Sequence, residues 1–164
     1  YESEAAVLLE AAMGPAASPD GGSTDEAGVN SRYSVAITKN TATSKSTAQD
    51  TSVLLFDAAP TFKALLDDMQ AGIPAATIAR RFHGAFVEAI VNAAKLAYSV
   101  YGVSTVALSG GVFMNRFIIE HALAALQDEG FTVAVNRELP PNDGCISYGQ
   151  AVIACAQDET THDE

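Results

Sequence analysis

Cysteine is scarce in this chain: 164 residues hold two, Cys145 and Cys155. That argues against a disulfide framework and fits a reducing, cytoplasmic setting. Basic residues are scarce too, 9 Lys plus Arg against 20 Asp plus Glu, for a formal net charge of −11. A nucleic-acid partner is disfavoured, because such binding needs a basic footprint. The imbalance is steepest in residues 1–30, which contain six acids and no Lys or Arg. No apolar run approaches the roughly 18 residues of a membrane-crossing helix, and no Lys/Arg-led signal peptide is present, so no membrane partner is expected. Internal repeats, His-x-x-x-His and Cys-x-x-Cys are all missing, so the chain cannot complete a metal site by itself. An initiating Met is missing as well. The opening YESEAAVLLE already looks like mid-domain amphipathic helix, and the chain reads as a piece of something longer.

What is present is a globular composition, 48% hydrophobic and 18% charged, sized for one domain or slightly less. Residues 1–13 read as a helix with Ala5, Leu8, Leu9 and Ala12 on one face. Polar loops follow at about 14–30 and 40–52, on either side of a half-buried strand over Tyr33–Ile37. Val53–Phe56 reads as another strand. Asp57 and Pro60 then open a helix that runs through Met69.

The pattern strengthens after Pro74. Ile78, Phe82, Ala85, Phe86, Ala89, Ile90, Ala93, Ala97 and Val100 step by three and four, the signature of one long amphipathic helix closed by Gly102. Val103–Leu108 is a strand, Asn115–Gln127 a helix and Phe131–Val135 a strand. PPNDG then leads into a helix from about Cys145 to Ala156, and 158–164 is an acidic tail expected to be disordered. Strand, crossover helix and strand form a βαβ unit with parallel strands. Gly110-Gly111 and Asn142-Asp143-Gly144 should therefore emerge on one sheet edge, where open α/β sheets hold ligands.

Each candidate residue has two readings. Gly110 and Gly111 let the backbone approach an anion at the following helix start, or they form a plain tight turn. Asn115 and Arg116 contact a nucleotide or form a solvated polar pair, and the residues alone favour the latter. Asn142 or Asp143 resembles a helix N-cap, and composition favours that over a metal ligand, since one carboxylate does not make a site. Cys145 reads as a small packing residue, because nothing places a base beside it. His121 reads as structural or surface. His83 either bonds within the core or faces the cleft.

The motifs VALSGGVFMNR and LPPNDGCISYGQA closely resemble the carboxyl-terminal region of HypF-type carbamoyltransferases, which read V-A-L-S-G-G-V-F-x-N-R and P-P-N-D-G-G-x-x-x-G-Q. IARRFH (78–83) is similar to that family's A-x-x-F-H helix, and YESEAAVLLE to its Y-E-G-Q-A-A-x-x-L-E segment. The resemblance implies an α/β fold: the carboxyl-terminal lobe (1–157) of an actin-like, ribonuclease H-like two-lobed ATPase domain, a mixed sheet with flanking helices. It implies that Gly110, Gly111 and Asn115 line the phosphates and nucleoside of ATP or carbamoyl-adenylate, with Glu2 near the ribose. Asp143 would ligate a divalent metal, iron or zinc, whose His ligands lie outside this chain. The implied reaction is carbamoyl transfer to the carboxyl-terminal Cys of a HypE-like partner in hydrogenase maturation. FMNR and PPNDG favour this over a threonylcarbamoyl- or O-carbamoyltransferase on the same fold. Ser3 and Glu4 depart from the family's Gly and Gln, which with the missing half keeps a non-catalytic nucleotide-binding or interaction module as an alternative; Cys145 replaces a Gly, which a helical position tolerates. The acylphosphatase-like, zinc-finger and adenylate-forming modules are absent, so full activity is not expected of this chain alone.

Overall fold

The computed structural model describes residues 4–14, 33–42 and 51–161. Nine elements carry the architecture in chain order: α1 (Glu4–Ala12), β1 (Ala36–Ala42), β2 (Thr51–Asp57), α2 (Ala59–Gln70), α3 (Ala75–Tyr101), β3 (Thr105–Leu108), α4 (Arg116–Asp128), β4 (Thr132–Val135) and α5 (Ile146–Thr161). Among the described residues the strands form two ladders, an antiparallel β1–β2 hairpin and a parallel β3–β4 pair.

The long helix is the organiser. Its period-3.6 stripe buries Ile78, Ala85 and Ala89 and half-buries Phe82, Phe86 and Ile90. It ends where Gly102 turns left-handed at φ +68°. One side of α3 supplies Val87 and Ala94 to a core with Leu108, Ala122, Leu126 and Phe131, which joins α3 to the β3–α4–β4 unit. The other core gathers Tyr33, Ile78 and Ala85, with Leu65 and Phe82 packed against it. The buried polar groups beside it are paired: Thr61 Oγ1 donates to the Ser34 carbonyl at 2.7 Å, and Tyr33 and Arg81 both donate to Asp68.

Several expectations are corrected. The apolar face foreseen on α1 is not buried; no residue of that helix is, and Leu8 stands 62% exposed. Met13, just past its end, is the buried anchor instead. The first strand begins at Ala36 rather than Tyr33, because the Tyr33 side chain turns into the core to reach Asp68. The hairpin also extends into the supposed loop at 40–52: β1 runs to Ala42 and β2 starts at Thr51. Thr-rich sequence of this kind suits a pleated strand as well as a loop. Helix α5 continues through Thr161, past the start of the expected tail, since nothing in Gln157–Thr161 breaks a helix. Most of loop 14–30, and residues 162–164 of the tail, lie outside the described residues.

Candidate functional site: two bends joined at one sheet edge

Parallel pairing sets the geometry. Leu108 and Val135, the last residues of β3 and β4, are register partners, so the segments that follow leave the same sheet edge. The diglycine bend and the PPNDG bend meet there. The Gly110 N–H donates to the Pro141 carbonyl at 2.6 Å, main chain to main chain.

Gly110 holds φ +108° and ψ 160°, a region essentially restricted to glycine. That angle turns the chain from β3 into a short 3-10 turn over Gly111–Met114. Phe113 N–H returns to the Gly110 carbonyl, whereas the N–H groups of Gly111 and Val112 take no acceptor among the described residues. Two backbone donors are thus left at the bend, and a Cβ built on Gly111 would meet nothing within 4 Å. The surface there is open to an approaching group.

Asn115 caps α4 from its own sequence position: Oδ1 accepts from Ile118 N–H at 2.9 Å. Arg116 behaves as a solvated residue, 84% exposed, with Nε on Glu120 at 2.8 Å. That neighbouring carboxylate pushes the guanidinium pKa still higher than usual. Across the cleft edge, Asn142 resolves the ambiguity between two capping candidates. Its Oδ1 accepts from Gly144 N–H at 3.0 Å, and its carbonyl from Cys145 N–H at 3.2 Å. The Asp143 carboxylate is left exposed, with no hydrogen bond or ion pair among the described residues, while its main-chain carbonyl accepts from Ile146 N–H.

The other candidates lie elsewhere. His83 is buried, with Nδ1 at 2.8 Å from the Ala79 carbonyl, and its ring lies edge-on to Phe117. His121 stacks on Phe117, 3.9 Å between centroids, with Nδ1 at 2.8 Å from the Phe117 carbonyl. In each ring Nδ1 is engaged by a carbonyl one turn earlier in the same helix. Cys145 is half-buried and Glu2 lies outside the described residues. No cluster of three His, Cys, Asp or Glu suited to a metal exists among the described residues. A lone carboxylate does not fit a complete coordination shell, so Asp143 would supply one ligand residue of such a site. A cleft of about 430 Å³ between α3, β3 and Phe56 is apolar and includes none of the candidate residues.

Two contacts were beyond sequence reasoning: the Pro141 carbonyl under Gly110, and Glu10, whose Oε1 accepts from Arg116 N–H at 2.9 Å across 106 positions. Neither main-chain partner carries a residue-type signal.

Solved structures define the class. A crystal structure of full-length HypF in the phosphate- and nucleotide-bound form superposes with a TM-score of 0.70 at 29% identity, over 94% of this chain and 17% of that one. The HypF of T. kodakarensis shares the fold at a TM-score of 0.59 and 24% identity, over 98% of this chain and 18% of that one. This is a Kae1-like α/β lobe. Residues 1–150 match the family described as carbamoyltransferase, Kae1-like domain, second subdomain, and the chain belongs to that family. Among curated relatives, the carbamoyltransferase HypF2 of Cupriavidus necator is 38% identical over 90 residues, 55% of this chain and 11% of that protein. The carbamoyltransferase HypF of Synechocystis sp. is 41% identical over 73 residues, 44% of this chain and 9% of that protein. The matched segments of the chain span about a tenth of the length of these relatives.

Proposed function

We propose that this chain forms the nucleotide-facing edge of a HypF-type carbamoyltransferase. The complete protein would move a carbamoyl group from carbamoyl-adenylate to the carboxyl-terminal Cys of a HypE-like partner during [NiFe]-hydrogenase maturation. The observation that carries this is the Gly110–Pro141 hydrogen bond, which holds the diglycine and PPNDG bends together at the ends of parallel strands. A relative solved with phosphate and nucleotide supports the same ligand class.

In this reading the free Gly111 and Val112 N–H groups meet phosphate oxygens, and Asn115 and Glu2 flank the nucleoside. Backbone donors suit a chain this acidic, since they add partial positive charge without a basic side chain. The reaction is acyl transfer. The cysteine sulfur attacks the carbamoyl carbon, its proton goes to solvent or a base, and the carbonyl–oxygen bond to phosphate breaks. AMP leaves with the bonding electron pair. Donors fixed on the phosphate stabilise the charge that gathers there as the bond breaks. Asp143 is assigned as one ligand of a divalent cation, iron or zinc, with the remaining ligands outside residues 1–164.

The complete protein, given ATP, carbamoyl phosphate and a HypE-like acceptor, should produce a thiocarbamate on the acceptor's terminal Cys, read as a mass gain. Asp143→Ala should lower bound metal and abolish that gain. Unchanged transfer by the variant would overturn the assignment of Asp143. Nucleotide binding by a wild-type protein that never modifies the acceptor would leave a binding module instead of a transferase.

A further inference from the structure

Helix α1 is held in an unusual way for an amphipathic segment. None of its residues is buried, so packing alone does not fix it. Beside the buried Met13, its carboxyl-terminal end is anchored by two polar contacts. Arg80 of α3 donates Nη2 to the Met13 carbonyl at 2.9 Å, and Glu10 Oε1 accepts from Arg116 N–H at 2.9 Å.

The second contact lies beside the candidate site. Arg116 is the first residue of α4, and a helix's first N–H groups have no intrahelical acceptor. Asn115 takes one such donor, that of Ile118, from within the same segment. Glu10 takes another from a different element. The diglycine bend ends at this helix start, so whatever fixes Arg116 also fixes where the 3-10 turn over Gly111–Met114 ends. With Arg116 N–H occupied, the donors left without an acceptor among the described residues are those of Gly111 and Val112 at the bend and Phe117 in the first turn of α4.

We infer that Glu10 is a positioning residue for the nucleotide: its carboxylate on the Arg116 N–H sets the start of α4 and directs the phosphate to the diglycine bend. The inference rests on the proposed nucleotide role of that bend. Reach matters more than charge, because the bond needs an acceptor oxygen at one place. Glu10→Gln retains such an oxygen at the same distance. Glu10→Asp retains the charge but draws it back by one methylene.

The test is ATP binding and turnover by the complete protein. Glu10→Ala and Glu10→Asp should each raise Kd and KM for ATP about five- to tenfold, the scale of one lost cap, with kcat little changed. Glu10→Gln should stay within about twofold of wild type on both constants. An unchanged KM in Glu10→Ala overturns the inference, even if the variant melts earlier, because the contact would then be structural only. A Glu10→Gln variant as weak as Glu10→Ala also overturns it, since charge and not placement would be at work. Failure of the wild-type protein to bind ATP removes the underlying reading and this inference together. Wild-type binding with an indifferent Glu10 removes this inference alone.

Discussion

The phenol of Tyr33 donates to Asp68 Oδ2 at 2.7 Å, from a side chain 1% exposed and 35 positions away in sequence. Asp68 also receives Arg81 Nη1 at 2.5 Å, so donors from two segments of the chain meet its buried charge. The pair anchors the segment before β1 to α2, and Arg81 extends the link to α3.

Tyr33→Phe should therefore destabilise the fold by about 1–3 kcal/mol, because it withdraws a donor from a buried carboxylate. A lower urea midpoint with an unchanged slope checks this.

The same contact makes stability depend on alkaline pH. Burial, reinforced by the adjacent Asp68 carboxylate, pushes the Tyr33 pKa up to about 12 from 10.0. The raised value means that the folded state favours the neutral phenol. Its contribution should be complete below about pH 10 and be lost as pH rises from 10 towards 12. Denaturation midpoints across that window should fall more steeply for wild type than for Tyr33→Phe.

The two adjacent glycines should respond differently to alanine. Gly110 sits at φ +108°, so Gly110→Ala should cost about 1–3 kcal/mol of stability. Gly111 lacks that positive φ, and a Cβ there meets nothing. Gly111→Ala should stay within about 0.5 kcal/mol of wild type in stability. It should nonetheless weaken ATP binding about tenfold, because the methyl occupies the approach to the two open donors. Calorimetric titration and thermal melting on the same samples separate the two effects.

Asn142 and Asp143 should also divide their labours. Asn142→Ala should lower stability by about 1 kcal/mol through the lost cap on Gly144. Asp143→Ala, which removes no hydrogen bond among the described residues, should leave the melting midpoint of the metal-free protein unchanged. Equal destabilisation by both variants would return Asp143 to a structural role.

Leu126 is fully buried among Val87, Ala122 and Phe131. Leu126→Ala should cost about 2–5 kcal/mol, a loss large enough to appear as reduced soluble yield.

Much of this fold can be read along the chain. The long helix declares itself through its three-and-four spacing, and the βαβ unit through two short apolar runs around a capped helix. Those two features suffice to bring the diglycine and PPNDG bends to one edge. Legibility ends where the determining contact is remote or has no side-chain identity. Tyr33 leaves the strand pattern because its partner is 35 residues ahead, and α1 is held through Met13, Arg80 and Arg116 and not through its own apolar face. The choice between Asn142 and Asp143 could not be made from composition, since both residue types cap helices well. Only the position of Oδ1 relative to Gly144 decides it.

The link from Gly110 to Pro141 has one more implication, for redesign. An amide proton and a peptide oxygen join the two loops, so this link does not itself use the side chains of Val112, Met114 or Asp143. Val112, Met114 and Asp143 can be exchanged as a library while the spacing of the platform stays constant, and altered ligand preference among such variants can be attributed to the new side chains alone.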